Sequence, residues 1–129
     1  MEDDRWKQLV ADIEGEDIEA MVDACERLSR EAEPMDIPRL LELLKHDDFV
    51  VREASAWPLV RLGGPEVILQ LFVAYQRGFD EGHDNDGFTG ALIELAGLQP
   101  EQTRTKLLEL AKEPENELKD HAEWLLGFC

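Results

Sequence analysis

Apolar residues that return every three or four positions along the whole chain leave almost no room for a β-strand. In IPRLLELLKH, residues 37–46, Ile37, Leu40, Leu41 and Leu44 fall on one helical face, and Pro38 is tolerated in a first turn. Asp47 and Asp48 then stand where they can cap a second helix, FVVREASAWPLVRLGG, which stops at Gly63 and Gly64 before Pro65 opens another. The same pattern continues over 65–77, 84–97, 100–113 and 115–128, and it precedes this region over 3–15 and 16–33. The reading is all-α, with eight helices in four hairpins, at approximately 2–33, 36–63, 65–97 and 100–127. A chain of 129 residues that is 43% hydrophobic can bury a core as one domain, 1–129, without disulfide or metal staples.

The helices also repeat. Val51, Trp57, Leu59 and Leu62 align with Asp84, Gly90, Leu92 and Leu95 at an offset of 33, and Leu118, Trp124 and Leu126 follow Asp84, Gly90 and Leu92 at 34. A fixed period of this length marks stacked helical repeats. HDDFVVREASAWPLVRLGGPEV, residues 46–67, resembles a short HEAT repeat of the bilin-lyase-like kind, carried by Asp48, Val51-Arg52, Ala54-Ser55, Leu59 and Leu62-Gly63. The resemblance weakens over 115–127, where Leu118-Lys119 replaces Val-Arg, and at the N-terminus. It implies a short right-handed α-solenoid of about four HEAT-like hairpins, with second helices on a concave side. Pro58 departs from the pattern and predicts a kink or a shifted helix start.

Spacing singles out one stretch, GFDEGHDNDGFTG, residues 78–90, with four glycines and four carboxylates. The step from Leu44 to Val51 is 7 residues and so is that from Ala111 to Leu118, whereas the equivalent step from Phe72 to Asp84 is 12. Five extra residues are therefore expected in an exposed loop at about Gly78–Gly82, and a similar comparison places a second insertion near LQPEQT, residues 98–103. In repeat register Asp84 and Asn85 replace Val51 and Arg52, while Gly87 and Gly90 replace a small residue and Trp57. Less bulk there predicts an open, negatively charged notch. Asp84 and Asp86 also suit a helix N-terminus, yet capping needs only one acid of the four.

The stretch does not read as a metal or catalytic motif. With Gly87 at the turn position of a calcium loop, the first ligand would fall on Gly82 and the bidentate carboxylate on Ile93, so the pattern fails at both anchors. The chain has no nucleophile constellation, phosphate-cradling glycine loop or zinc motif, so neither an enzyme nor a cofactor is expected. His46 reads as a helix-end residue, His83 as a turn residue and His121 as a helix-face residue. Cys25 and Cys129 read as a buried and a free thiol in a reducing compartment. The candidate protein-binding residues are Asp80, Glu81, His83, Asp84, Asn85 and Asp86, joined by Trp57. Trp57 reads equally as an interface anchor or as a residue covered by neighbouring helices; Trp124, its repeat equivalent, reads as packing of the last helix, and Trp6 as the apolar face of the first.

Thirteen Lys and Arg against thirty Asp and Glu give a net charge of −17, which disfavours nucleic acid and anionic membrane and favours a basic protein partner. MEDDRWKQLV lacks the basic and apolar regions of a signal peptide, so a cytoplasmic protein is expected. The first functional expectation is a non-enzymatic protein-binding module. Small acidic HEAT-type proteins, some with a similar GHDND-like turn, are similar to the immunity proteins kept beside secreted bacterial toxins. That likeness implies neutralisation of a basic toxin by occluding its active cleft. A general HEAT-type scaffold or adaptor is the alternative within the same class, and a bilin-lyase-like, cofactor-handling protein is the alternative outside it.

Overall fold

The computed structural model describes residues 1–112 and 117–129. Glu113 and Glu115, where the sequence places the end of the seventh helix and the start of the eighth, lie outside the described residues. Among the described residues the chain is all-α, with eight α-helices, two short 3-10 turns and no strand. It forms two compact units, Met1–Leu62 and Gly63–Cys129.

In the first unit α1 (Asp3–Glu14) packs against α2 (Ile18–Glu31), whose N-terminus is closed by the Asp17 carboxylate accepting the N–H groups of Glu19 and Ala20. A 3-10 turn, Pro34–Asp36, leads into α3 (Ile37–Leu43), and α4 (Phe49–Gly63) follows. Asp36 is fully buried. Burial alone would raise its pKa, but the Glu33 N–H, the Arg39 guanidinium and the Met1 amino group together hold the carboxyl below its ordinary value. Arg39 also lies over the buried Trp6 ring, 4.6 Å from its centroid, while donating to Asp3 at 3.0 Å and to Asp36 at 2.7 Å.

Helix α4 is buried nearly all round, on Val51, Arg52, Ala54, Ser55, Ala56, Pro58, Leu59 and Val60, as a sequence with apolar residues on every face requires. It starts at Phe49 and runs without interruption through Pro58, so the shifted start is not found. As expected, Asp48 caps it, accepting the Val50 N–H at 2.9 Å. Arg52 clamps the start of this helix. Its fully buried guanidinium donates to the carbonyls of His46 and Asp47, at 2.9 and 3.0 Å, and so holds the turn after α3 against α4.

The second unit opens with a 3-10 turn, Gly64–Val67, followed by α5 (Ile68–Asp80), α6 (Asp86–Leu98), α7 (Pro100–Ala111) and α8 (Glu117–Leu126). Helix α8 packs against α5, α6 and α7. The first expected loop, Gly78–Gly82, is helical as far as Asp80, which lengthens α5, and only Glu81 and Gly82 of it form a turn; exposed side-chain pairs one turn apart, Gln76 to Asp80 at 2.9 Å and Arg77 to Glu81 at 2.8 Å, accompany the extension. The second is absorbed where α6 runs to Leu98 and α7 begins at Pro100, with only Gln99 between them.

Candidate protein-binding surfaces

The connection from α5 to α6 is built around a left-handed glycine. Gly82 has φ +78°, its N–H reaches the Phe79 carbonyl at 3.0 Å, and the His83 N–H reaches the Gly78 carbonyl at 2.9 Å. These two bonds are the Schellman closure of a helix C-terminus. Asp84 then accepts the Asp86 N–H at 3.0 Å, and Asp86 lies in the first turn of α6, where the helix dipole favours a carboxylate.

Asn85 behaves differently from its acidic neighbours. It is 5% exposed, and its Nδ2 donates 2.9 Å to the Tyr75 carbonyl. A β-carbon placed on Gly78 would lie 2.3 Å from Asn85 Oδ1 and 2.8 Å from Nδ2, so the carboxamide fills the space that this glycine leaves. The residue belongs to the turn's own construction and is withdrawn from the candidate contact set. The notch expected from lost bulk is, at this position, closed by Asn85 against Gly78. In repeat register Asn85 stands where Arg52 stands, and the two side chains play the same part, since each donates from the start of a second helix to a carbonyl of the helix or turn before it.

The other candidates in this turn face solvent. Asp80, Glu81, His83, Asp84 and Asp86 are all exposed. Asp80 accepts from Gln76, and Glu81 pairs with Arg77 at 2.8 Å and lies 3.5 Å from His83 Nε2. Among the described residues no group of three or more His, Cys, Asp or Glu is placed to hold a metal ion, and no helix is long and apolar enough to cross a membrane.

Trp57 lies in the first unit, half-buried. It lines an open groove of about 620 Å³ between α2 and α4, with Cys25, Ser29, Ala54 and Arg61. Arg61 donates to the Ala32 carbonyl at 3.1 Å. Burial raises the pKa of the Cys25 thiol there, as does nearby Glu53, and both cysteines are free. His46 is a turn acceptor, its Nδ1 taking the Asp48 N–H at 2.9 Å.

One group escapes a reading of the acidic turn alone. Phe72, Tyr75 and Phe79 on α5 and His121, Trp124 and Phe128 on and just beyond α8 share the spacing i, i+3, i+7. The two rows meet. The His121 ring lies 5.7 Å from Phe72, 4.9 Å from Tyr75 and 6.0 Å from Phe79, nearly parallel to the last. Trp124 stacks on Tyr75 at 6.1 Å and meets Phe128 edge-on at 5.3 Å. Phe72 and Tyr75 are buried and His121 and Trp124 half-buried, whereas Phe79 and Phe128 are 49% and 46% exposed. His121 Nε2 is 2.7 Å from Gln76 Oε1, whose amide nitrogen reaches Asp80. Burial lowers the His121 pKa, with Asp120 and Glu117 pulling it upward. The spacing is readable in the sequence, but the meeting of the two rows is not.

No family model, curated protein or solved structure matches the chain.

Proposed function

We propose that the chain is a non-enzymatic protein-binding module whose partner presents a basic surface, and that it acts by covering that surface. The observation that carries this reading is the excess of carboxylate at the α5–α6 turn. Asp80, Glu81, Asp84 and Asp86 are all exposed, whereas closure of the turn uses Gly82, Asn85 and the Asp84 cap. Exposed charge beyond what the fold needs, in a chain of net charge −17, steers association with a cationic partner and speeds encounter at low salt. In its most specific form the partner is a secreted toxin whose basic cleft is blocked, the module residing in the cytoplasm of the cell that it protects. The Trp57 groove offers an apolar contact of the kind that anchors such an interface.

The test is capture of the native partner from the source cell by the wild-type chain and by an Asp80→Lys, Asp86→Lys double variant, which spares the Asp84 cap. The variant should keep its helical circular dichroism and lose the partner, and the wild-type association rate should fall as salt is added. Equal capture by both chains, with a rate indifferent to salt, overturns the reading.

A further inference from the structure

We propose that the partner engages the first unit through a basic amphipathic helix laid along α2, a contact that rests on the protein-binding reading above and gives the partner's binding element a form. Two rows of side chains on α2 carry the inference. Ile18, Val22, Cys25 and Ser29 are spaced i, i+4, i+7, i+11 and therefore share one face of the helix. Cys25 and Ser29 line the groove of about 620 Å³, with Ala54, Trp57 and Arg61 on its α4 side. The same face of α2 continues toward the helix N-terminus as Ile18 and Val22, which are 70% and 58% exposed. Large aliphatic side chains left to water, on a helix face that leads into a groove beside a tryptophan, mark a surface for a partner.

The second row fixes the partner's charge. Glu19, Asp23 and Glu26 repeat the spacing one residue further on, so a line of carboxylates runs beside the apolar line, and all three are exposed. Asp23 pairs with Arg27 at 2.8 Å and Glu26 with Arg30 at 3.5 Å, but ion pairs this exposed are weak and leave their carboxylates open to competition. From Asp12 to Glu26 the chain carries seven carboxylates and no lysine, arginine or histidine. The groove's Arg61 is committed within the unit, to the Ser29 and Ala32 carbonyls at 2.5 and 3.1 Å. An apolar line with a parallel acidic line is the complement of a helix whose apolar stripe is flanked by lysine or arginine. An extended peptide has no equivalent seat, since the described residues hold no strand whose edge it could join. From Ile18 to Ser29 the row is about 16 Å long, which is room for about three turns of a partner helix.

The test uses a synthetic peptide of about fourteen residues with leucine on one helical face and lysine elsewhere, its scrambled isomer, and the same pattern with glutamate in place of lysine. Each is titrated into the full chain at physiological salt and followed by calorimetry, by the indole NMR signal of Trp57, and by the rate at which a thiol reagent modifies Cys25 in a Cys129→Ser background. The patterned lysine peptide should gain helix on binding, exceed both controls in affinity, shift the Trp57 signal and protect Cys25. An Ile18→Ser, Val22→Ser chain with unchanged circular dichroism should bind it about 10-fold more weakly, from the loss of two apolar contacts. The Asp80→Lys, Asp86→Lys chain should stay within about 3-fold of wild type, because only the screened long-range field has changed. Absence of binding, equal binding of the scrambled isomer, an unmoved Trp57 signal or indifference to the Ile18 and Val22 changes each overturn the proposal. Binding lost only in the Asp80→Lys, Asp86→Lys chain places the basic contact on the acidic turn, so the α2 contact falls and the proposed function stands. Preference for the glutamate peptide overturns both.

Discussion

Replacing Gly78 by alanine should destabilise the second unit, against the usual rule for a helix interior. Gly78 lies within α5, where Gly→Ala ordinarily stabilises by about 1 kcal/mol through backbone entropy. Here the new β-carbon would stand 2.3 Å from Asn85 Oδ1, 2.8 Å from Nδ2 and 2.9 Å from Cγ, so the whole carboxamide has to leave. Its departure breaks the buried bond to the Tyr75 carbonyl, at about 1–3 kcal/mol, and forces a packed neighbour aside, at about 1–3 kcal/mol more. Set against the entropic gain, Gly78→Ala should cost about 1–5 kcal/mol net. An Asn85→Ala chain removes the obstacle. In that background the same Gly78→Ala change should stabilise, by about 1 kcal/mol. The sign reversal is the prediction, and a double-mutant cycle measures it as a coupling of about 2–6 kcal/mol. Urea unfolding of the four chains supplies the numbers, with Trp6 and Trp57 changed to Phe so that Trp124 reports the second unit alone. If Gly78→Ala stabilises both backgrounds equally, Asn85 does not occupy the space described and the account of the turn is wrong.

Two further outcomes follow from Arg52, which is buried, and His121, which is half-buried. Arg52→Met keeps most of the side chain's volume and removes its bonds to the His46 and Asp47 carbonyls, so it should cost about 2–4 kcal/mol in urea unfolding; a cost below about 0.5 kcal/mol would mean that the turn is held by other contacts. His121 has a lowered pKa in the fold, so as pH falls through its ordinary 6.5 the unfolded chain takes up the proton first. The stability that His121 contributes is therefore complete above about pH 6.5, declines below it, and stops changing once the folded imidazole also titrates. His121→Phe should flatten this part of the stability profile. An unchanged slope would assign the pH dependence to other groups.

The helices are legible in the sequence because their cause is local: three- and four-residue apolar spacing, the Asp48 cap and the Gly63–Gly64 stop are all written in adjacent residues. The state of the inserted residues is not. Counting positions between repeat equivalents shows that five residues are extra, but not whether they form a loop or extend a helix. The signals for extension are present, in the Gln76–Asp80 and Arg77–Glu81 spacing and in an aromatic stripe that continues from Tyr75 to Phe79. They are outweighed by a composition rich in glycine and acid, which ordinarily marks a loop. For Asn85 the difficulty is of another kind. An amide among carboxylates looks solvated, and only the approach of Tyr75 and Gly78 across the turn shows that it is buried.

That approach also accounts for the charge of the turn. Near the start of α4, Arg52 reaches two turn carbonyls, of His46 and Asp47, with a long side chain and so places a buried positive charge there. Asn85 holds the end of α5 with a short, neutral side chain, which works only because Gly78 lets the two segments come close. At the next equivalent position Lys119 has turned to Glu123, at 3.9 Å, a pairing within its own helix. Exchanging Arg for Asn thus keeps the mechanical role and removes one cation from a segment that carries Asp80, Glu81, Asp84 and Asp86. The negative field of the α5–α6 turn is therefore a consequence of how this turn is closed, as well as of how many acids it holds.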